Sequence, residues 1–160
     1  LAAVDHDVDV FEFCLQRLVF NALVDELEAR AGHGGGSLST SFAPLGILFS
    51  VLATHGAAGA ATPQDARAAF DAGVAHVLPG AARRPELSVP PEWPRRLWAA
   101  LTQLEKLQPL AKRRLVEALV VTISHDQQLT VAEAELLRTV CAVLNCPLPP
   151  LLPKAVTGTA

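Results

Sequence analysis

Tyrosine is missing from this sequence, and with two Trp and six Phe the aromatic share is only 5%. Ala, Leu and Val carry the apolar content instead, which favours helix over strand. A basic surplus is missing too. The net charge is −3, which argues against a nucleic-acid partner, because phosphate binding needs clustered Lys and Arg. Cysteine is sparse and odd in number, with Cys14, Cys141 and Cys146. That is not a disulfide framework, and it points to a reducing compartment. Neither a signal peptide nor an Arg-rich transit segment is present. Catalytic motifs are absent as well. None of the five His residues is followed by Glu, so there is no His-Glu-x-x-His. There is no Gly-x-Ser-x-Gly. The run Gly32-His33-Gly34-Gly35-Gly36-Ser37 breaks a helix, but it is no phosphate loop, because no Gly-Lys-Ser/Thr follows.

What remains is a folding composition of 160 residues, 51% apolar and 18% charged, enough for one domain or two closely packed halves. Helical periodicity predicts a first helix over 10–30. Its apolar face is expected to be Phe11, Leu15, Leu18 and Ala22, widened by Val19, Leu23 and Leu27. The longest uncharged run, 42–61, is about as long as a membrane span, but Pro44, Gly46, Gly56 and Gly59 interrupt it, and it reads as a buried core helix. Thr62-Pro63-Gln64-Asp65 starts a helix reaching about Leu78, with Thr62 as cap and Asp65 complementing the dipole. A Pro/Arg-rich linker over 79–91 divides the chain into halves 1–78 and 92–151. Three more helices follow, over 94–107, 109–125 and 131–144. The expected fold is all-α, a single domain over 1–160 built as a bundle of six to seven helices. The chain has no starting Met, and Leu1-Ala2-Ala3-Val4 reads as the middle of something, so it is expected to be excised from a larger protein.

One helix-start motif occurs twice. Asp5-His6-Asp7-Val8-Asp9-Val10-Phe11-Glu12 matches Asp126-Gln127-Gln128-Leu129-Thr130-Val131-Ala132-Glu133 at a constant offset of 121 residues. The register continues through Leu15/Leu136, Arg17/Arg138, Val19/Val140 and Leu23/Leu144, which predicts a duplicated helix–turn–helix unit. A full helix precedes Asp126 but only four residues precede Asp5, so the first copy is expected to have lost most of its leading helix. Two readings of the motif stand side by side. Thr130-x-x-Glu133 and Asp9-x-x-Glu12 have the form of capping boxes, with Asp126 and Asp5 accepting N–H groups of the preceding turn. Alternatively, Asp5, Asp7, Asp9 and Glu12, with Asp126 and Glu133 in the second copy, form an oxygen-rich site for Ca²⁺ or Mg²⁺. The EF-hand pattern fails, since Gln16 stands where its bidentate Glu belongs and Val10 where its Gly belongs. By the same alignment Cys14 falls opposite Glu135 and is expected to be exposed, whereas Cys141 falls on a buried stripe. Arg83-Arg84, Arg95-Arg96 and Lys112-Arg113-Arg114 read as solvated surface.

The stretch from Ser124 to Arg138, followed by Cys146-Pro147-Leu148-Pro149-Pro150-Leu151, resembles the C-terminal region of bacterial M48-type membrane metallopeptidases. That region is similar to the tellurite-resistance B-like (TerB-like) helical domain, marked by an Asp-Gly turn before an acidic helix start. The likeness covers 1–31 and 95–151. In this chain the turns are Asp5-His6 and Asp126-Gln127, without the glycine. The resemblance implies a non-catalytic accessory domain, serving interaction or regulation, of a membrane-anchored zinc metallopeptidase. Zinc would belong to the peptidase domain alone. The implied partner is that domain or another protein, with membrane contact only through the parent. The implied location is the cytoplasmic face of the bacterial inner membrane, the fragment by itself being soluble. The alternative function is a divalent-cation sensor using the acidic loop.

Overall fold

The computed structural model describes residues 9–27, 35–56 and 62–150. The fold is all-α. Six α-helices occur among the described residues: α1 (Val10–Leu27), α2 (Phe42–Val51), α3 (Pro63–Val77), α4 (Trp93–Leu104), α5 (Pro109–Ile123) and α6 (Val131–Leu144). A 3-10 turn, Leu38–Thr40, leads into α2, and a π-helical turn, Leu52–Gly56, follows it.

The helix starts obey local chemistry. Thr62 and Asp65 form a reciprocal capping box ahead of Pro63, and Pro109 opens α5. At the far end, Asn145 in the left-handed region closes α6 before Pro147. The uncharged run 42–61 begins as a core helix: Leu45, Leu48, Phe49 and Val51 of α2 lie at the centre of the molecule. No helix among the described residues is long and apolar enough to cross a membrane.

The helices pack as three pairs, α1 on α6, α2 on α4 and α3 on α5. Each pair takes one member from either side of the 79–91 segment, so the two sequence halves interleave around one core. That segment lies along α2. Ser88 N–H donates to Ser50 Oγ at 3.0 Å, and Leu87 and Val89 rest against the core. The α3–α5 crossing is close because Gly73 has no side chain. A Cβ there would collide with Thr122 Oγ1 and come within 2.7 Å of Phe49. Gly36 is tied down at the end of its glycine run. Its N–H donates to Lys106 O at 3.1 Å and its carbonyl accepts from Gln108 N–H at 3.2 Å.

Candidate functional site

The duplicated motif is visible as two helix starts in the same register. In the first copy, the Glu12 N–H donates to Asp9 Oδ1 at 2.8 Å, so Asp9 caps α1. The Glu12 carboxylate accepts from Gln16 Nε2 at 3.2 Å on the exposed side of the helix. In the second copy, the Glu133 N–H donates to Thr130 Oγ1 at 3.0 Å, and the Thr130 N–H donates to Glu133 Oε2 at 2.9 Å. This is the reciprocal capping box that the spacing predicts. Thr130 Oγ1 also donates to Gly56 O at 2.6 Å, which ties α6 to the π turn after α2. Glu133 packs against Gly56, where a Cβ would meet its Cγ at 2.7 Å. Burial pushes the Glu133 carboxyl above its ordinary value, the Thr130 hydrogen bonds opposing and the nearby Asp126 charge adding.

Asp126 Oδ1 accepts the Gln128 N–H at 2.9 Å, closing the turn as an Asx turn. Between them Gln127 has φ +62°. This is the left-handed conformation that the glycine of an Asp-Gly turn adopts without strain. The turn thus takes that conformation with Gln in place of glycine.

Asp9, Asp126 and Glu133 therefore hold backbone groups of their own turns, and Glu12 holds a neighbouring side chain. Asp5 and Asp7 lie outside the described residues. Among the described residues no group of three or more His, Cys, Asp or Glu side chains is gathered as a metal would need. A shallow depression on α3, lined by Pro63, Gln64, Arg67, Ala68 and Asp71, shares no residue with the motif.

The two copies part company in what they bury. Leu15, Val19 and Leu23 are 65%, 52% and 54% exposed, whereas their equivalents Leu136, Val140 and Leu144 are at 2%, 2% and 0%. Phe11, also taken from the periodicity as core, is exposed as well. α1 instead buries Val10, Phe13, Cys14 and Arg17, spaced i, i+3, i+4 and i+7. With 3.6 residues per turn this face lies about half a turn round the axis from the expected one. The reason is the partner it finds. The Phe13 ring lies 5.7 Å from that of Trp93 and 6.3 Å from that of Trp98. The Cys14 thiol meets Thr139 of α6 and is raised by burial, so Cys14 is a core thiol and not the exposed one its alignment with Glu135 predicts.

Arg17 is only 2% exposed. Its guanidinium sits 4.3 Å from the Trp98 ring centre and 5.7 Å from that of Phe20, a cation–π arrangement. Nη2 donates to Thr102 Oγ1 at 3.4 Å, while Nε and Nη1 have no hydrogen-bond partner. Burial lowers its pKa, the Glu105 charge opposing. Its repeat equivalent, Arg138, is exposed and reaches Glu135 at 3.6 Å. All three cysteines are free. Burial pushes Cys141 up to about 11, making it a poor nucleophile.

The repeat therefore specifies two side-chain-capped helix starts in the same register and one apolar arc, which α6 buries and α1 turns to solvent. Simple periodicity missed this because α1 is apolar on both sides. The signal lay in Val10, Phe13, Cys14 and Arg17, whose spacing is as helical as that of the other arc. Comparison of the chain with protein families, with curated proteins and with solved structures finds no match.

Proposed function

We propose that this chain is a non-catalytic interaction or regulatory domain whose contact surface is the outer face of α1, and that its parent is a membrane-anchored zinc metallopeptidase of the M48 type. The observation that carries the interaction reading is the two-faced α1. One face packs into the bundle, and the other presents Phe11, Leu15, Val19 and Leu23 to solvent. Contiguous exposed apolar surface of this kind marks a contact site. The left-handed Gln127 between Asp126 and the α6 capping box supports the family resemblance, because it reproduces an Asp-Gly turn without the glycine.

The parent is tested by the gene-level sequence ahead of Leu1. A His-Glu-x-x-His and apolar spans are expected there, and their absence would remove the peptidase. The interaction role is tested in that parent. Leu15→Gln with Val19→Gln should change proteolysis or complex formation while leaving the domain folded. Unchanged behaviour sinks the reading.

The ion-sensor alternative draws on Asp5 and Asp7 together with Asp9 and Glu12, of which Asp9 already caps α1. Calorimetry with Ca²⁺, Mg²⁺ and Mn²⁺ decides it. Heat of binding that disappears in Asp5→Asn/Asp7→Asn would favour the sensor, and no heat at millimolar ion would remove it.

A further inference from the structure

α6 ends in a closed cap that brings two of the three thiols together. Asn145 takes φ +54°. Its N–H donates to Ala142 O at 3.2 Å, and the Cys146 N–H donates to Cys141 O at 2.9 Å. These two bonds make a Schellman motif, in which the side chains at the two ends of the wider bond pack on each other. Here both of those side chains are Cys. The bond also limits how far apart they stand. Standard bond lengths on either side of it hold the two Cα atoms no more than about 6.8 Å apart, within the span that a disulfide bridges.

The surroundings give the two thiols different roles. Cys141 is 2% exposed, and its thiol is pushed up to about 11, by burial first and by Cys146 second. Cys146 is half-buried against the core. Its Sγ–H donates to Leu144 O at 3.8 Å, and the same carbonyl accepts from Lys112 Nζ at 3.1 Å. Burial raises the Cys146 thiol as well, with the Lys112 charge opposing. Cys146 is therefore the thiol that solvent reaches and whose thiolate has a cation beside it. Cys141 is a poor nucleophile toward anything in solution, but a target held next to it needs no encounter. Cys14 meets Thr139 instead.

We propose that Cys141 and Cys146 form a redox pair that closes to an intrachain disulfide by exchange with a small-molecule disulfide. The Cys146 thiolate attacks one sulfur of the small disulfide, whose S–S bond breaks. One small thiolate leaves and takes up the proton that Cys146 gave, and a mixed disulfide forms on Cys146. The Cys141 thiolate then attacks the Cys146 sulfur and expels the second small thiolate, which takes the Cys141 proton. Two protein thiols are oxidised, and one small disulfide is reduced to two thiols. The ring encloses Leu144, whose carbonyl holds Lys112, so oxidation locks the corner where α5 meets α6.

The test equilibrates the whole chain with reduced and oxidised glutathione, quenches it in acid, and labels the remaining thiols with N-ethylmaleimide after unfolding. Trypsin puts Cys141 and Cys146 on one peptide, 139–154, and Cys14 on another, 1–17. A 139–154 peptide that has lost two hydrogens and takes no label is expected, while Cys14 stays labelled. Cys141→Ser should stop with glutathione on Cys146, and Cys146→Ser should leave Cys141 labelled. A comparison on the unaltered chain needs no variant to fold. Urea keeps the Cys-x-x-x-x-Cys spacing but dissolves the cap. At one glutathione ratio the native chain should therefore hold at least tenfold more ring, relative to mixed disulfide, than the chain in urea. Free thiols at every glutathione ratio, a mixed disulfide that never closes, a bridge between two chains, or the same proportion of ring in urea overturns the proposal.

Discussion

At the scale of single residues, Glu133 and Gln127 each sit where their chemistry is under tension. Glu133 is a carboxyl raised above its ordinary 4.5 by burial. A raised carboxyl opposes folding when ionised, so its penalty is absent below 4.5 and grows as pH rises through the folded value. Asp65 behaves oppositely. Its carboxyl is held down by the Thr62 hydrogen bonds, so its contribution is lost only as pH falls below the ordinary 3.8. Stability should therefore rise as pH falls toward 4.5, before acid unfolding begins. Melting curves of the wild type and Glu133→Gln measured against pH should converge on the acid side and separate above 4.5. Parallel curves would show that Glu133 does not titrate in the fold. Gln127 pays about 1–2 kcal/mol for its left-handed backbone. Glycine relieves that at an entropic cost of about 0.5–1 kcal/mol. Gln127→Gly should raise Tm by about 2 °C, and a lower Tm would show that the Gln side chain contributes more than the strain it imposes. The Thr130–Glu133 capping box and the caps Asp9 and Thr62 were legible in the sequence because they depend on residues three apart. The burial of Glu133 was not, because it depends on Gly56, far away in the chain.

At the scale of elements, α1 shows where sequence reading succeeds and where it stops. Its first residue follows from the cap, and its register with α6 follows from the repeat. Its inward face does not, because helical periodicity counts apolar positions and α1 supplies them on two sides. The choice was made by Trp93, Trp98 and Thr139, which come from α4 and α6. The structure gives a direct contrast between equivalent positions. Leu136→Ala should cost about 2–5 kcal/mol, as for a filled core site. Leu15→Ala, its aligned twin, should stay within about 0.5 kcal/mol. Urea denaturation of the two variants measures this, and equal losses would mean that the arc on α1 is covered in solution.

At the scale of the molecule, the boundary read from the Pro/Arg-rich segment does not separate two bodies, since the α1–α6, α2–α4 and α3–α5 pairs all span it. The segment looks like a linker in composition because its prolines disfavour helix, yet it is bonded to α2 through Ser88 and Ser50. One cooperative transition is expected. Far-UV circular dichroism and the fluorescence of Trp93 and Trp98 should give the same midpoint. Two midpoints would show that the halves melt apart. The pairing also sets an order of assembly. α1 leaves the ribosome ahead of the other described helices, while α6, the helix it packs on, leaves after them, 121 residues later by their first residues. Between the synthesis of α1 and that of α6, the side of α1 that packs on α6 therefore lacks that partner. A nascent chain of this kind is exposed to misassociation until α6 emerges. Whatever binds the outer face of α1 early would shield it during that interval, acting as a folding partner before it acts as anything else.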